Sequence, residues 1–162
     1  MFPAGALIRE LVAQFCDTPP AENCELSLDQ TDAVEHAELS ADRALLDRLF
    51  GNLLNNSVQH NDGTVKITIH TEIRDHFLCL DISDNGKGYP PQVLSALNLA
   101  VTGEDTPHIL GLHVVEQIVR AHGGSVIFEQ TMTGGAKTDI RLPLVTDRKN
   151  SYFNGKQISI SI

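Results

Sequence analysis

Residues 64 to 83 constrain the fold more than any other stretch of the chain. In Thr64-Val65-Lys66-Ile67-Thr68-Ile69-His70-Thr71-Glu72-Ile73, the apolar residues Val65, Ile67, Ile69 and Ile73 fall on one side of an extended backbone. Lys66, Thr68, His70 and Glu72 fall on the other. A period of two matches a strand with one covered face and no helix. After the turn Arg74-Asp75-His76, residues Phe77 to Ser83 read as a second strand, apolar on both faces and therefore central. A sheet with one apolar face needs another layer to cover it.

Three helical stretches can supply that layer. Leu7, Ile8, Leu11, Val12 and Phe15 recur at helical spacing over residues 4 to 16, and Thr18-Pro19-Pro20 stops the run. A second helix is expected from Ser40, as N-cap, to His60, with Asp42 in a first turn whose dipole favours negative charge. Its inner face is Leu46, Phe50, Leu53 and Leu54, with Leu49 at the edge. A third runs from Gly111 to His122, with Leu112, Val115, Ile118 and Val119 inward and Gly123-Gly124 as C-terminal cap. Glu25 to Asp29 reads as a short edge strand, with His36 to Leu39 as its hairpin partner. Ser125 to Gln130 and Lys137 to Leu144 are two further strands joined by a Gly-rich turn. Residues 84 to 110 are irregular except for a short helix over Gln92 to Leu99, and a stretch of this length is a functional lid or disordered. The expected architecture is an α/β (α+β) two-layer sandwich, a mixed, mostly antiparallel sheet with three helices on one face.

Composition narrows the function classes. The 162 residues fit one domain, and 41% apolar residues suffice for its core. With 12 Lys plus Arg against 21 Asp plus Glu, the formal charge is −9, so no nucleic-acid partner is expected. Any phosphate must be met locally, by backbone N–H groups, a metal or a few side chains. No apolar run approaches the ~18 residues of a transmembrane helix, and no signal peptide opens the chain. Cys16, Cys24 and Cys79 form no C-x-x-C pair, which points to free thiols in a reducing cytosol.

Two places break local rules. Asn52-Leu53-Leu54-Asn55-Asn56 lies inside the second helix, although Asn is a poor helix former. Asn52, Asn56 and Gln59 share one stripe, either a solvated face or a set of amide oxygens able to complete the shell of a hard cation. Asp84-Asn85-Gly86-Lys87-Gly88-Tyr89-Pro90 follows the central strand, and alone it reads as a hairpin turn. It lacks the third glycine of a dinucleotide fingerprint and the acidic alternation of an EF-hand, and no Walker A sequence occurs.

Together these features are specific. Leu49-Phe50-Gly51-Asn52-Leu53-Leu54-Asn55-Asn56-Ser57 resembles the N box of the GHKL (Bergerat-fold) ATPases. Asp84-Asn85-Gly86-Lys87-Gly88 resembles their G1 box, and Leu110-Gly111-Leu112-His113-Val114-Val115, ending in Ala121-His122-Gly123-Gly124, their G2 box. The order and spacing are those of the catalytic, ATP-binding domain of sensor histidine kinases, over about residues 5 to 145. The resemblance implies that Asp84 accepts a hydrogen bond from the adenine amine and rejects guanine. It implies that Gly86 and Gly88 bring the backbone close to the base, and that Tyr89, His60, Gln59 and Leu112 help to line the ATP site. Asn56 would hold Mg²⁺ with Asn52 beside it, and Leu110 and Gly111 would present a helix N-terminus to the phosphates.

There are departures from the family pattern. Gln59 and His60 stand where Lys and an aromatic are usual, and Pro107-His108-Ile109 replaces a Gly-x-Gly. Between Tyr89 and Leu110 there is no Phe, Lys or Arg, which leaves Lys87 and His108 as cationic helpers. None of the seven histidines sits in a helical H-[ED]-x-x-[TN] context. The acceptor is therefore expected on a separate helical-hairpin dimerisation domain, within a homodimeric, membrane-anchored kinase that serves a response regulator. This domain itself is expected to be monomeric and cytoplasmic, with residues 146–162 an extra hairpin, disordered or vector-derived. The alternatives are a stand-alone serine kinase of the anti-sigma-factor type and a non-catalytic nucleotide-binding module.

Overall fold

The computed structural model describes residues 1–99 and 107–146. In chain order these form β1 (Phe2–Pro3), α1 (Ala4–Cys16), a 3₁₀ turn (Pro19–Asn23), β2 (Cys24–Gln30), α2 (Asp32–Glu35) and β3 (Glu38–Leu39). Then come α3 (Arg43–Gln59), β4 (Val65–Arg74), β5 (Phe77–Asp84), α4 (Pro91–Leu99), α5 (Pro107–Ala121), β6 (Ser125–Gln130) and β7 (Ala136–Pro143). The main sheet has the order β2-β4-β5-β7-β6. Only the β2–β4 pair is parallel, so the sheet is mixed and mostly antiparallel, as expected.

Alternation decides which face is covered. Val65, Ile67 and Ile69 of β4 and Leu78, Leu80 and Ile82 of β5 are buried, while Lys66 and Thr68 are exposed. The core closes when α1, α3 and α5 lay their apolar stripes on that face. Every inward residue expected of the three helices is buried, and Leu49, placed at an edge, is 1% exposed and fully inside. The β4–β5 connection has both Asp75 and His76 at positive φ (51° and 65°), the turn geometry that matches strand twist in a two-residue hairpin.

Four expectations need correction. First, β5 is central but not covered on both faces, because Cys79, Asp81 and Ser83 face the open side and are half-buried. Second, Glu38–Leu39 does not pair with β2 but with Phe2–Pro3, since residues 32–35 coil into α2 and carry the chain away from β2. Third, the N-cap of α3 is Asp42, not Ser40: its Oδ1 accepts the Leu45 N–H at 3.1 Å. Fourth, α5 begins at Pro107, four residues before Gly111. Proline is well suited to a first helical position, having neither an N–H to satisfy nor a φ to adjust.

The start of α3 and the end of α5 are joined by His122. Its Nε2 accepts the Asp42 N–H at 3.0 Å, so the ring proton is on Nδ1, which donates to the Ile118 carbonyl at 2.7 Å. Two predictions separate core from cap. Leu54→Ala, at a side chain with no exposure, should cost about 2–5 kcal/mol in urea denaturation. Asp42→Ala should cost about 1 kcal/mol in the same assay.

Candidate functional site

The last two turns of α3, the end of β5 and the start of β7 meet at Asp84. Its carboxylate is buried and three groups donate to it. The Ser57 hydroxyl reaches Oδ2 at 2.6 Å. The N–H groups of Gly86 and Ala136 reach Oδ1 at 2.9 and 3.1 Å. These bonds draw a helix, a loop and a strand to one point.

Glycine makes that convergence possible. A Cβ on Gly135 would stand 1.9 Å from the Asp84 carbonyl oxygen, and one on Gly88 (φ +77°) 2.3 Å from the Gly134 carbonyl oxygen. A Cβ on Gly86 would overlap the Asn61 side chain. That side chain clamps the loop, accepting the Lys87 N–H at 2.8 Å through Oδ1 and donating to the Ser57 carbonyl through Nδ2. The glycines thus serve the approach of chain to chain at this junction.

A cavity of about 200 Å³ opens beside Asp84, walled by Asn56, Ser57, His60, Asn61, Lys87, Gly88, Tyr89, Pro90, Val93, Leu112 and Ala136. It is smaller than the ~300–1,000 Å³ usual for drug-sized ligands, which suits one flat ring system rather than a whole nucleotide. Tyr89 braces one wall. Its hydroxyl is 2.7 Å from Thr138 Oγ1, its carbonyl accepts from Gln130 Nε2 at 2.9 Å, and its ring meets Phe128 edge-on at 5.9 Å. Burial pushes the Tyr89 hydroxyl up to about 12 from 10.0; its hydrogen bond to Thr138 opposes that rise, and the Asp84 charge adds the smallest contribution.

The expected site residues divide into two groups. Asn56, His60, Asp84, Gly88, Tyr89 and Leu112 line the cavity together. Asn52 does not; its Nδ2 donates to the Gly111 carbonyl at 3.4 Å and ties α3 to α5. Gly86 lies behind the wall, under Asn61. Gln59 is exposed, because as the last residue of α3 it has no following turn to pack against. Leu110 is 62% exposed, two residues and about 200° of helix away from inward Leu112. Because α5 starts at Pro107, the N–H of Gly111 falls within the helical ladder, and the donors left at the helix start are those of His108 and Ile109. Lys87 is held by Asp62 at 2.9 Å, which lowers the Asp62 carboxyl below its ordinary range. The His108 side chain and the tail beyond residue 146 lie outside the described residues.

Sequence reasoning overlooked Ser57, Asn61, Val93 and Ala136. Ser57 stood within the quoted N-box segment, and Asn61 had read as a simple turn residue.

The sequence profile of the histidine kinase-, DNA gyrase B-, and HSP90-like ATPases matches residues 41–146. A putative sensor histidine kinase NtrY-like from Rickettsia conorii is 30% identical over 114 residues, 68% of this chain and 19% of that protein. Sensor protein KdpD of Escherichia coli is 31% identical over 121 residues, 72% of this chain and 14% of that protein. The chain spans about a fifth of the length of the curated relatives it matches. Among solved structures, the catalytic domain of histidine kinase ThkA superposes with a TM-score of 0.71 at 21% identity, over 88% of this chain and 92% of that one. The mycobacterial sensor histidine kinase MprB gives 0.66 at 22% identity, over 86% and 95%. Both likenesses establish the shared fold.

The raised Tyr89 value predicts a pH dependence. A group whose folded value exceeds its unfolded one stabilises the fold below the unfolded value and loses that contribution as pH rises through the folded one. Stability should therefore fall between pH 10.0 and about 12. In a Tyr152→Phe variant, where Tyr89 is the remaining tyrosine of two, tyrosinate absorbance should appear near the upper end of that window.

Proposed function

The chain belongs to the histidine kinase-, DNA gyrase B-, and HSP90-like ATPase family, and from that membership we propose that it is the ATP-binding catalytic domain of a sensor histidine kinase. The observation that carries this reading is the buried Asp84 carboxylate in the wall of a cavity of about 200 Å³. An acceptor there pairs with the exocyclic amine of adenine, whereas the guanine carbonyl would oppose it lone pair to lone pair. Val93, Leu112 and Tyr89 supply apolar surface for the ring.

Mg²⁺ fits this site as an ion that arrives with the nucleotide. Among the described residues no cluster of three or more His, Cys, Asp or Glu side chains could hold a metal. The Asn56 amide on the cavity wall offers the neutral oxygen that a Mg²⁺ carrying phosphate and water ligands can accept. When bound, the ion neutralises phosphate charge. The protein's part is to seat the base at Asp84 and to aim the phosphates past Asn56, with Asn52 holding α5 alongside.

Phosphoryl transfer rests largely on positioning and charge stabilisation. In this reading the γ-phosphoryl group passes to a histidine on a separate helical-hairpin dimerisation domain, and from there to a response regulator. The sensor kinases among the relatives favour this over the serine-kinase alternative. We assign residues 1–145 to the nucleotide domain, since α1 and β2 pack into the core although the family match begins at residue 41. No described helix is long and apolar enough to cross a membrane. We place the domain in the cytoplasm, within a longer, membrane-anchored homodimer, as the sequence resemblance implies; the sensor kinases among the relatives, of which this chain covers about a fifth, support the longer protein.

Calorimetric titration with ATP, ADP and GTP, with and without Mg²⁺, tests the reading. ATP and ADP should bind and GTP should not, and equal affinity for ATP and GTP would remove Asp84 from its role. Asp84→Ala should weaken ATP binding by about 1.5–3 kcal/mol, that is about 13- to 160-fold. Asn56→Ala should lose most of the Mg²⁺ effect on ATP affinity while ADP binding survives better.

A further inference from the structure

After Asp84 the chain runs Asn85-Gly86-Lys87-Gly88-Tyr89, and Lys87, Gly88 and Tyr89 stand in the cavity wall. Two glycines in so short a loop make it costly to order, since glycine loses the most conformational freedom on being fixed. The ends of the loop are secured. Asn85 donates its N–H to the Lys66 carbonyl at 3.2 Å, and its Oδ1 accepts the Lys66 N–H at 2.8 Å. Tyr89 is braced by Gln130 and Thr138. The middle is held from α3 by Asn61, whose Oδ1 accepts the Lys87 N–H at 2.8 Å. Its Nδ2 donates to the Ser57 carbonyl, one of the last four of α3, which have no partner within the helix. Asp62 also holds the Lys87 ammonium, but it is exposed, and an ion pair in water holds weakly. Gly86 fits this arrangement closely. A Cβ there would stand 2.1–2.3 Å from Oδ1, Nδ2 and Cγ of Asn61. Gly86 is not among the glycines at positive φ, so its backbone would accept alanine. What the added methyl would displace is the Asn61 amide.

Resting on the reading that this cavity seats a nucleotide, we propose that Asn61 is a positioning residue of that site. It clamps the loop of residues 86–89 to the end of α3 before the nucleotide arrives, and residue 86 is a glycine in order to admit the clamp. The ordering cost of the loop is then met in the free protein and is not subtracted from the binding energy. The Asn61 amide is bonded to the carbonyl of Ser57, and the hydroxyl of the same Ser57 is bonded to Asp84. Loop wall and carboxylate are thus held in register by one residue of α3. The effect of the clamp is shared by every ligand that rests on this wall, ATP and ADP alike, and is separate from the metal effect assigned to Asn56.

The test is calorimetric titration with ATP and ADP, beside amide hydrogen exchange, on the full chain and on its Asn61→Ala, Gly86→Ala and double variants. Asn61→Ala should weaken both nucleotides by about three- to tenfold, the effect of one lost hydrogen bond. Gly86→Ala should do the same by expelling the Asn61 amide, and the double variant should be no weaker than either single one. In each variant the Lys87 amide should exchange faster, while those of residues 86 and 136, held by Asp84, keep their protection. Wild-type affinity in Asn61→Ala, losses that add in the double variant, or an unchanged Lys87 amide overturns the clamp and leaves the nucleotide reading in place. Lost protection at all three amides makes Asn61 a residue of general stability and also overturns the clamp. A wild type that binds neither nucleotide overturns the reading on which the clamp rests. Should Asn61→Ala fail to fold, Gly86→Ala decides. Weaker binding together with faster Lys87 exchange supports the clamp, and wild-type affinity overturns it.

Discussion

One side chain from the end of β5 accepts hydrogen bonds from α3, from its own following loop and from the start of β7: Asp84 receives Ser57, Gly86 and Ala136. A buried carboxylate without partners would be costly, so these three donors are a condition of its being there at all. Their geometry propagates outward. For Ala136 to reach Asp84, the preceding Gly135 must pass so near the Asp84 carbonyl that no Cβ can be accommodated. For the loop after Asp84 to close on α3, Gly86 must leave room for Asn61. The cavity lies beside this convergence, and the bonded carboxylate forms part of its wall.

The junction also explains why α3 carries amides where a helix would favour better formers. Asn52 contacts the backbone of α5 and Asn56 faces the cavity, one turn apart. The same helix is tied at its start to the end of α5 through His122 and Asp42. α3 and α5 are thus joined by polar bonds at two places and by their apolar faces between. Movement of α5 would be felt at the cavity through Leu112, its residue in the wall.

Much of this was legible in the sequence, and the residues show why. The inward sets of α1, α3 and α5 follow from helical period alone, because each helix has one face to bury. The β4 alternation is equally direct. Pairing was less accessible: β2 lies parallel to β4, a relation set by the path of the chain over the helical layer and unmarked by any local signal. His36 to Leu39 failed as a hairpin partner for the same reason. The start of α5 was misjudged because Pro107 was read as part of an irregular stretch standing in for a Gly-x-Gly, when its lack of an N–H also makes it a good first helical residue. In the site, Asp84 and Asn56 stood out as rule-breaking residues, whereas Ser57 did not. A serine in a helix is ordinary until the distance to a carboxylate is known.

The distribution of charge around the cavity divides the tasks of nucleotide recognition. The basic residue on its wall, Lys87, is held by Asp62, and Gln59 is neutral and turned to solvent. In a chain of formal charge −9, little long-range attraction is left for a polyphosphate. The Asp84 side of the cavity, by contrast, is built: the carboxylate is bonded in place and the apolar wall is braced by Tyr89 against Thr138 and Phe128. In the proposed reading, selectivity then comes from the fixed, buried end. On the same reading, the charge needed at the phosphates would come from a metal that travels with the nucleotide and from a partner domain. A domain so arranged would hold its nucleotide by the base, and its chemistry would wait on groups brought from outside.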